Sequence, residues 1–251
     1  MEPYVKHYQK GSCGILEFGN PEGNSLSSSI LNKLYKKIDL LDKNQDVRVI
    51  ILQSHGSRAF CGGASFTEMK NLKNLKQASE FFMCLALIIN RIRSLSKFVV
   101  ARVQGKVVGG GVGLVAACDY VLAHESAEIK LSELSIGLGP FVIEPVVSRK
   151  IGTTAFAQLS IESTNWKNAQ WAADNGLYAK IIKSEKALNK SVFEMGQKLA
   201  DYHPKAIKNL RKLHWKDTGH WRMLLPKNAN ITAKLLLEKP TQKILESLVK
   251  K

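Results

Sequence analysis

The stretch that decides the fold runs from Gln104 to Leu114 and reads Gln-Gly-Lys-Val-Val-Gly-Gly-Gly-Val-Gly-Leu. It follows the apolar run 98–103, which is predicted as a strand, and it opens an apolar segment, predicted as a helix, that ends at Cys118. Three consecutive glycines are hard to explain by stability, because each glycine costs conformational entropy relative to alanine. They indicate either a backbone that a ligand approaches closely or a helix packed closely against a sheet.

Common nucleotide motifs do not fit this stretch. It does not match Gly-x-Gly-x-x-Gly with an acidic residue about 20 positions later, and it contains no Gly-Lys-Ser/Thr. Dinucleotide and P-loop binding are therefore poorly supported.

Short apolar strands alternate with helical stretches on both sides of the glycines. Strands are predicted at 14–18, 47–52 and 119–123, and helices at 26–41 and 78–94. This alternation is typical of an α/β fold. Beyond Pro140 the chain becomes mainly helical, with one strand-like interruption at 177–182. Helices are predicted there at 141–151, 153–161, 166–175, 185–202, 204–216 and 229–247.

We divide the chain into a core at 1–190 and a C-terminal helical region at 191–251. No linker rich in Pro, Gly or Ser separates them. The second region is therefore expected to pack on the core or on a neighbouring subunit, where it would serve oligomerisation, and not to form an independent domain.

The 251 residues are 45% hydrophobic and 23% charged, which is typical of a globular protein. The apolar run 107–118 is shorter than the roughly 20 residues of a membrane span, and the N-terminus has no apolar signal segment. We therefore expect a cytoplasmic protein without membrane contact. The four cysteines are scattered, so neither a metal site nor a disulfide framework is indicated.

Net charge is unusual at +16. Such a surplus attracts polyanions, and it leaves open a nucleic acid, a phosphate-bearing cofactor or a simply solvated surface. Lys205, Lys208 and Lys212 would lie on one helical face, but no recognised nucleic-acid motif accompanies them. Of these three interpretations, a nucleic-acid partner is favoured least.

Two further segments could carry chemistry. The first, Phe-Cys-Gly-Gly-Ala-Ser at 60–65, lies between a strand and a predicted helix, where free backbone N–H groups can stabilise an oxyanion or simply form a tight turn. The second contains Glu133 between Leu131 and Leu134. This glutamate is either solvated or held in an apolar pocket, where burial would raise its pKa and suit it to proton transfer.

In combination these segments resemble the crotonase family, the enoyl-CoA hydratase/isomerase superfamily. The matching features are Phe-Cys-Gly-Gly-Ala at 60–64, Gly-Gly-Gly at 109–111 opening a segment that ends Ala-Cys-Asp, and Glu-x-x-x-Gly-x-x-Pro at 133–140. The resemblance implies a ββα spiral core, a homotrimer or dimer of trimers, and an acyl-CoA substrate whose coenzyme A is the only cofactor involved.

The resemblance also implies roles for individual residues. The backbone N–H groups of Gly62 and Gly110 would hold the thioester carbonyl, and Glu133 would be the acid/base. The loop of Gly62, Gly63, Ala64 and Ser65 would line the path of the cofactor's adenine and pantetheine.

Departures from the family pattern bear on the reaction. Gly113 stands where many family hydratases have a second glutamate, Ser65 replaces an aspartate, and 141–145 replaces a glycine-rich run. We expect hydration of a branched or acidic 2-enoyl-CoA, as in the methylglutaconyl-CoA hydratase branch of leucine degradation. The alternatives are a Δ3,Δ2-enoyl-CoA isomerase that uses Glu133 alone and, in another class, an RNA-binding protein. Glu144 is a possible second acid.

Overall fold

The computed structural model of this chain describes residues 2–249. Within them the strands are β1 (Tyr4–Lys10), β2 (Cys13–Gly19), β3 (Val49–Ser54), β4 (Ala59–Cys61), β5 (Phe98–Val103), β6 (Lys106–Val108), β7 (Tyr120–His124), β8 (Ile129–Lys130) and β9 (Lys180–Ile182). The helices are α1 (Ser28–Lys43), α2 (Phe66–Asn71), α3 (Leu75–Arg93), α4 (Gly110–Ala117), α5 (Glu144–Ile151), α6 (Thr153–Ile161), α7 (Ala169–Asp174), α8 (Glu185–Ala200), α9 (Pro204–His214), α10 (Trp221–Leu236) and α11 (Lys239–Val249), with a 3₁₀ turn at Leu134–Ile136.

Six strands form the larger sheet, in the order β1-β2-β3-β5-β7-β9. β1 is antiparallel to β2, and every other neighbouring pair in the sheet is parallel. The inner strands are buried on both faces, which explains their continuous apolar sequences. The sequence analysis missed β1 because this edge strand is polar and largely exposed.

A smaller parallel sheet has the order β4-β6-β8. The chain alternates between the two sheets, since β3, β5 and β7 enter the larger sheet and the strand after each enters the smaller one. This repetition is the expected ββα spiral, and the predicted α/β class is confirmed. Because the three short strands are parallel, the segments that follow them all leave from the same edge.

The C-terminal helices fold back onto their own chain. α10 packs along α3, while α11 contacts α2 and the 3₁₀ turn. The predicted boundary at 190 falls inside α8, a continuous helix that covers one face of the larger sheet. α8 therefore packs with the core on both sides of residue 190, and the division of the chain into two regions stays a prediction.

One long helix predicted at 229–247 is in fact two helices. α10 starts earlier, at Trp221, and α11 begins at Lys239 with Pro240 in its first turn. Proline has no backbone N–H to continue a preceding helix but is well suited to a helix start, so the chain breaks there. Among residues 2–249, no helix is both long and apolar enough to cross a membrane.

Candidate active site

The segments that follow β4, β6 and β8 meet at one apolar cavity. Gly62, Gly63 and Ala64 come from the first segment, Gly109 and Gly110 from the second, and Ser132 and Glu133 from the third. The cavity encloses about 680 Å³, part of it open to solvent. Parallel strands bring their carboxyl ends to a common edge, so the sheet itself assembles these loops.

Position 109 requires glycine, both because its φ is positive and because a side chain there would overlap Glu133. Its φ is +51°, and a Cβ built there would lie 2.7 Å from Glu133 Oε1. Its N–H donates to the Lys130 carbonyl at 2.9 Å, which ties the second segment to the third. The Glu133 carboxyl thus packs directly against the main chain that opens α4.

Gly110 offers a free N–H group at the start of α4. As the first residue of the helix it has no intrahelical acceptor, and among residues 2–249 no other acceptor is bonded to it. The helix dipole adds partial positive charge at this end. Gly110 lines the cavity, so this N–H is available to a ligand there, and its role as an oxyanion donor stays a prediction.

Gly62 does not fit the role expected of it. Its N–H already donates to the Gly23 carbonyl at 2.9 Å, so it is not available to a substrate oxygen. Two residues later, Ala64 forms a parallel bridge with Leu26. That bridge uses the Gly63 carbonyl and the Ser65 N–H, so the N–H of Ala64 itself points to the other side.

Two amides on this loop remain free, because neither the Gly63 N–H nor the Ala64 N–H has a bonded acceptor within residues 2–249. Both residues line the cavity together with Gly110, and the Ala64 N–H is the one directed away from the bridge to Leu26. Leu26 lies between the two loops, because a Cβ on Gly110 would contact its side chain at 3.8 Å. Sequence spacing could not show this, since the acceptor that occupies Gly62 is almost forty residues earlier in the chain.

Glu133 is the only ionisable side chain among the described residues that line the cavity. Burial raises the pKa of its carboxyl to about 7, and a hydrogen bond from its own backbone opposes this only in part. Oε2 is buried and has no hydrogen-bond partner within residues 2–249. A carboxyl with a pKa near neutrality can both take up and release a proton.

Gly113 lies against Ile143, and the two residues leave no room for a second acid. A Cβ at position 113 would lie 2.7 Å from Ile143 Cβ and even closer to its Cγ2. Ile143 itself lines the cavity beside Val142. The replacement of the glycine-rich run at 141–145 therefore fills the space next to Gly113 with hydrocarbon.

Two other expected site residues lie outside the cavity lining. Ser65 is the N-cap of α2, where its Oγ accepts from the Glu68 N–H at 3.3 Å. Glu144 is the first residue of α5, and its N–H donates to the Pro140 carbonyl at 2.8 Å. A glutamate in the first turn is stabilised by the helix dipole, which accounts for Glu144 without a catalytic role.

Sequence reasoning missed most of the apolar wall. Its side chains come from five parts of the chain and share only their contact with the cavity: Leu26, Leu31, Phe66, Met69, Phe81, Phe82, Leu85, Ile136, Leu138, Pro140, Val142, Ile143 and Thr232. Helical spacing showed that Phe81, Phe82 and Leu85 would be buried, but not that a cavity lay beside them.

Comparisons with known proteins identify the family of this chain. The family model described as enoyl-CoA hydratase/isomerase matches residues 9–247. A probable enoyl-CoA hydratase of Bacillus subtilis is 31% identical over 200 residues, which cover 79% of this chain and 77% of that protein. The mitochondrial methylglutaconyl-CoA hydratase of Rattus norvegicus is 32% identical over 139 residues, covering 54% of this chain and 44% of the relative.

Solved structures share the fold. An enoyl-CoA hydratase from Bacillus halodurans superimposes with a TM-score of 0.91 at 20% identity, covering 97% of this chain and 99% of that one. A putative enoyl-CoA hydratase/isomerase (crotonase) from Legionella pneumophila has a TM-score of 0.79 at 27% identity, covering 86% of this chain and 83% of its own.

Proposed function

We propose, since this chain belongs to the enoyl-CoA hydratase/isomerase family, that it moves a proton between carbons of an enoyl-CoA thioester through one carboxylate, Glu133. The reaction supported best is the conversion of a 3-enoyl-CoA into the conjugated 2-enoyl-CoA. The observation that carries this proposal is the contact between Gly113 and Ile143, which leaves the cavity with a single acid.

In the proposed mechanism, two backbone N–H groups hold the thioester oxygen. The N–H groups of Ala64 and Gly110 donate to it, replacing the expected pair of Gly62 and Gly110. Negative charge grows on this oxygen when a proton leaves C2, and donors fixed in advance stabilise it without reorganising. One such donor typically contributes about 10²–10³ in rate.

Glu133 then moves the proton. Its carboxylate takes a proton from C2, which leaves the enolate of the thioester. The same carboxyl returns a proton to C4 as the double bond shifts from C3–C4 to C2–C3, so the carboxylate is restored and no water is consumed. The raised pKa of Glu133 suits both half-steps, because a group near neutrality is a competent base and a competent acid.

Hydration of a 2-enoyl-CoA is the second candidate. It was the first expectation from the sequence, and the descriptions of several relatives as hydratases favour it. With one carboxylate, Glu133 would have to position the water and also protonate C2. Isomerisation needs neither a bound water nor a second acid, and this places it first.

Two substrates separate these reactions by absorbance. A 3-enoyl-CoA gains the conjugated absorbance if the enzyme is an isomerase, whereas a 2-enoyl-CoA loses it if water is added. Glu133→Gln should abolish the activity and leave acyl-CoA binding intact. Glu144→Gln is the matched control and should retain the rate, since Glu144 is outside the cavity lining. Full activity in Glu133→Gln would overturn the proposal.

Three finer expectations remain predictions. Coenzyme A would enter only as part of the substrate, the protein would form a homotrimer or dimer of trimers, and it would be cytoplasmic. Light scattering on the purified protein tests the oligomeric state.

A further inference from the structure

Apart from Glu133, no side chain in the described lining of the cavity carries a charge that could pair with a charged group on the acyl chain. Among the described residues that line it there is no lysine, arginine or histidine. Ser132 and Thr232 supply the only side-chain hydroxyls in that lining, and Thr232 Oγ1 already donates to the Asn228 carbonyl at 3.0 Å. The remaining side chains of the wall are hydrocarbon, aromatic or thioether groups.

Lys130, the basic residue closest to Glu133 in the sequence, contacts an aromatic ring outside the cavity lining. Lys130 lies three positions before Glu133, but its ammonium sits over the ring of Trp166, 4.5 Å from the centroid. Lys130 is not one of the residues that line the cavity. The surplus of basic side chains on this protein therefore places none of them in the lining of the cavity.

A carboxylate on the acyl chain would be disfavoured for two reasons. It would leave water without a cation to pair with, and desolvation of an unpaired ion costs several kilocalories per mole. It would also share the cavity with Glu133, whose Oε2 has no hydrogen-bond partner within residues 2–249 to offset a second negative charge. Like charges in one site oppose ionisation of both groups, so binding would also push Glu133 away from its basic form.

We infer that the enzyme acts on enoyl-CoA thioesters with an uncharged, apolar acyl chain and rejects those whose chain ends in a carboxylate. This rests on the proposed function and adds the substrate class. It sets the chain apart from the relatives described as methylglutaconyl-CoA hydratases, because a methylglutaconyl group carries a free carboxylate. It also replaces the acidic acyl group expected from the sequence.

Three matched thioesters test the inference on the unaltered enzyme. They are 3-hexenoyl-CoA, the 3-hexenedioyl-CoA with a free terminal carboxylate, and the methyl ester of the latter. We expect kcat/KM for the free acid to be at least about 100-fold below that for 3-hexenoyl-CoA, while the ester recovers most of the rate. Comparable values for the acid and 3-hexenoyl-CoA would overturn the inference.

A binding measurement keeps this result separate from the fate of the proposed reaction. Hexanoyl-CoA and adipoyl-CoA are unreactive thioesters of equal chain length, and their dissociation constants can be compared by calorimetry. We expect hexanoyl-CoA to bind at least about 100-fold more tightly. If no enoyl-CoA turned over but this preference held, the proposed reaction would fail and the substrate class would stand. Equal affinities would reject the substrate class even in an active enzyme.

Discussion

Glu133 is an ionisable residue in an apolar environment, a combination that is rare in stable proteins because burial of a charge is costly. It is an acid whose carboxyl is buried among apolar side chains, and one of its oxygens has no partner within the described residues. Such a group favours its neutral form, which is why its pKa rises to about 7. Both its activity and its effect on stability should therefore change within the physiological pH range.

The pH profile of the reaction should follow this pKa. If the carboxylate removes the C2 proton, kcat/KM should increase about tenfold per pH unit below pH 7 and level off above it. Initial rates with a 3-enoyl-CoA between pH 5 and 9 measure the profile, with a check that the protein stays folded throughout. A rate independent of pH between 5 and 8 would contradict the assignment of Glu133 as base.

Stability should respond in the opposite direction. Between the unfolded pKa of a glutamate, about 4.3, and the folded pKa of about 7, the folded state holds a proton that the unfolded state has lost. The free energy of unfolding therefore falls as pH rises through this window and is lowest above it. Glu133→Gln removes the penalty, so the variant should be more stable than the parent at pH 8 by up to about 3 kcal/mol.

Urea unfolding at pH 5 and pH 8 checks this prediction. The two proteins should differ much less at the lower pH, where Glu133 is protonated in the folded state. A stability difference that does not change with pH would show that burial of the charge is not the cause.

At the scale of single elements, α4 is buried along its whole length and is made largely of small residues. Gly111 lies against Cys61, where a Cβ would come within 2.6 Å of the cysteine Cβ, and Gly113 lies against Ile143. The close-packing alternative left open by the sequence is confirmed at Gly111, and the approach of a ligand to Gly110 stays a prediction.

Gly113→Ala should destabilise the protein because its methyl group would overlap Ile143. Overpacking of this kind costs about 1–3 kcal/mol. Ile143→Ala leaves a cavity and costs about 2–5 kcal/mol on its own. In the double variant the new methyl group has room, so we expect a total smaller than the sum of the two single effects. Additive effects in urea unfolding would show that the two residues do not compete for space.

α10, which belongs to the C-terminal region, holds one wall of the cavity in place. Asn228 Nδ2 donates to the Phe141 carbonyl at 2.8 Å, immediately before the cavity residues Val142 and Ile143. Asn228→Ala should raise KM for an enoyl-CoA by roughly tenfold, because a small displacement of a positioning segment is costly in catalysis. The pH profile should be unchanged, since Glu133 is not altered.

Asn230→Ala is the matched control for Asn228. It lies in the same helix and loses only an exposed hydrogen bond to Ser79, 3.2 Å long. Its KM should equal that of the parent. Identical kinetics in the two variants would mean that the contact with Phe141 does not set the wall.

Sequence patterns predicted β2, β3, β5, β7, β9 and most of the helices, but neither β1 nor the three short strands of the smaller sheet. The runs at 47–52 and 98–103 contain enough β-branched residues to be recognised as strands from their sequences alone. The free N–H at Ala64 depends on pairing with Leu26 and Gly23, and the cavity wall needs Thr232 from α10. Contacts between distant segments leave no periodic trace in the sequence, so the free amide of Ala64 and the cavity wall were missed.

At the scale of the whole molecule, a buried charge joins the C-terminal region to the core. Arg211 of α9 donates to Asp119 at 3.0 Å and to the Ile92 carbonyl at 2.9 Å, near the end of α3. Its side chain is 1% exposed and that of Asp119 is 7% exposed. The sequence gives no hint that this arginine differs from the exposed lysines around it.

Arg211→Met should destabilise the protein by about 3–5 kcal/mol, because it leaves Asp119 buried without its cation. Lys212→Ala, at the exposed neighbouring position, should stay within about 0.5 kcal/mol of the parent. Urea unfolding of both variants provides the comparison. Equal stabilities would show that the buried pair does not hold the region in place.

The basic face predicted on α9 is a separate feature from this buried arginine. Lys205, Lys208 and Lys212 are all exposed. RNA binding remains an alternative prediction for this surface, and a steep loss of affinity with salt in a gel-shift assay would support it.

The smaller sheet limits which substitutions and insertions this enzyme can tolerate. Its middle strand, β6, is paired with β4 on one side and β8 on the other, so the loops of Ala64 and Gly110 and the segment that carries Glu133 all follow strands of one sheet. Substitutions in the surrounding helices can change the shape of the acyl cavity without moving these strands. An insertion in any of the three short strands would instead shift the amides and the carboxyl relative to one another. Evolution can therefore change the substrate of this enzyme more easily than the relative positions of its amides and its carboxyl.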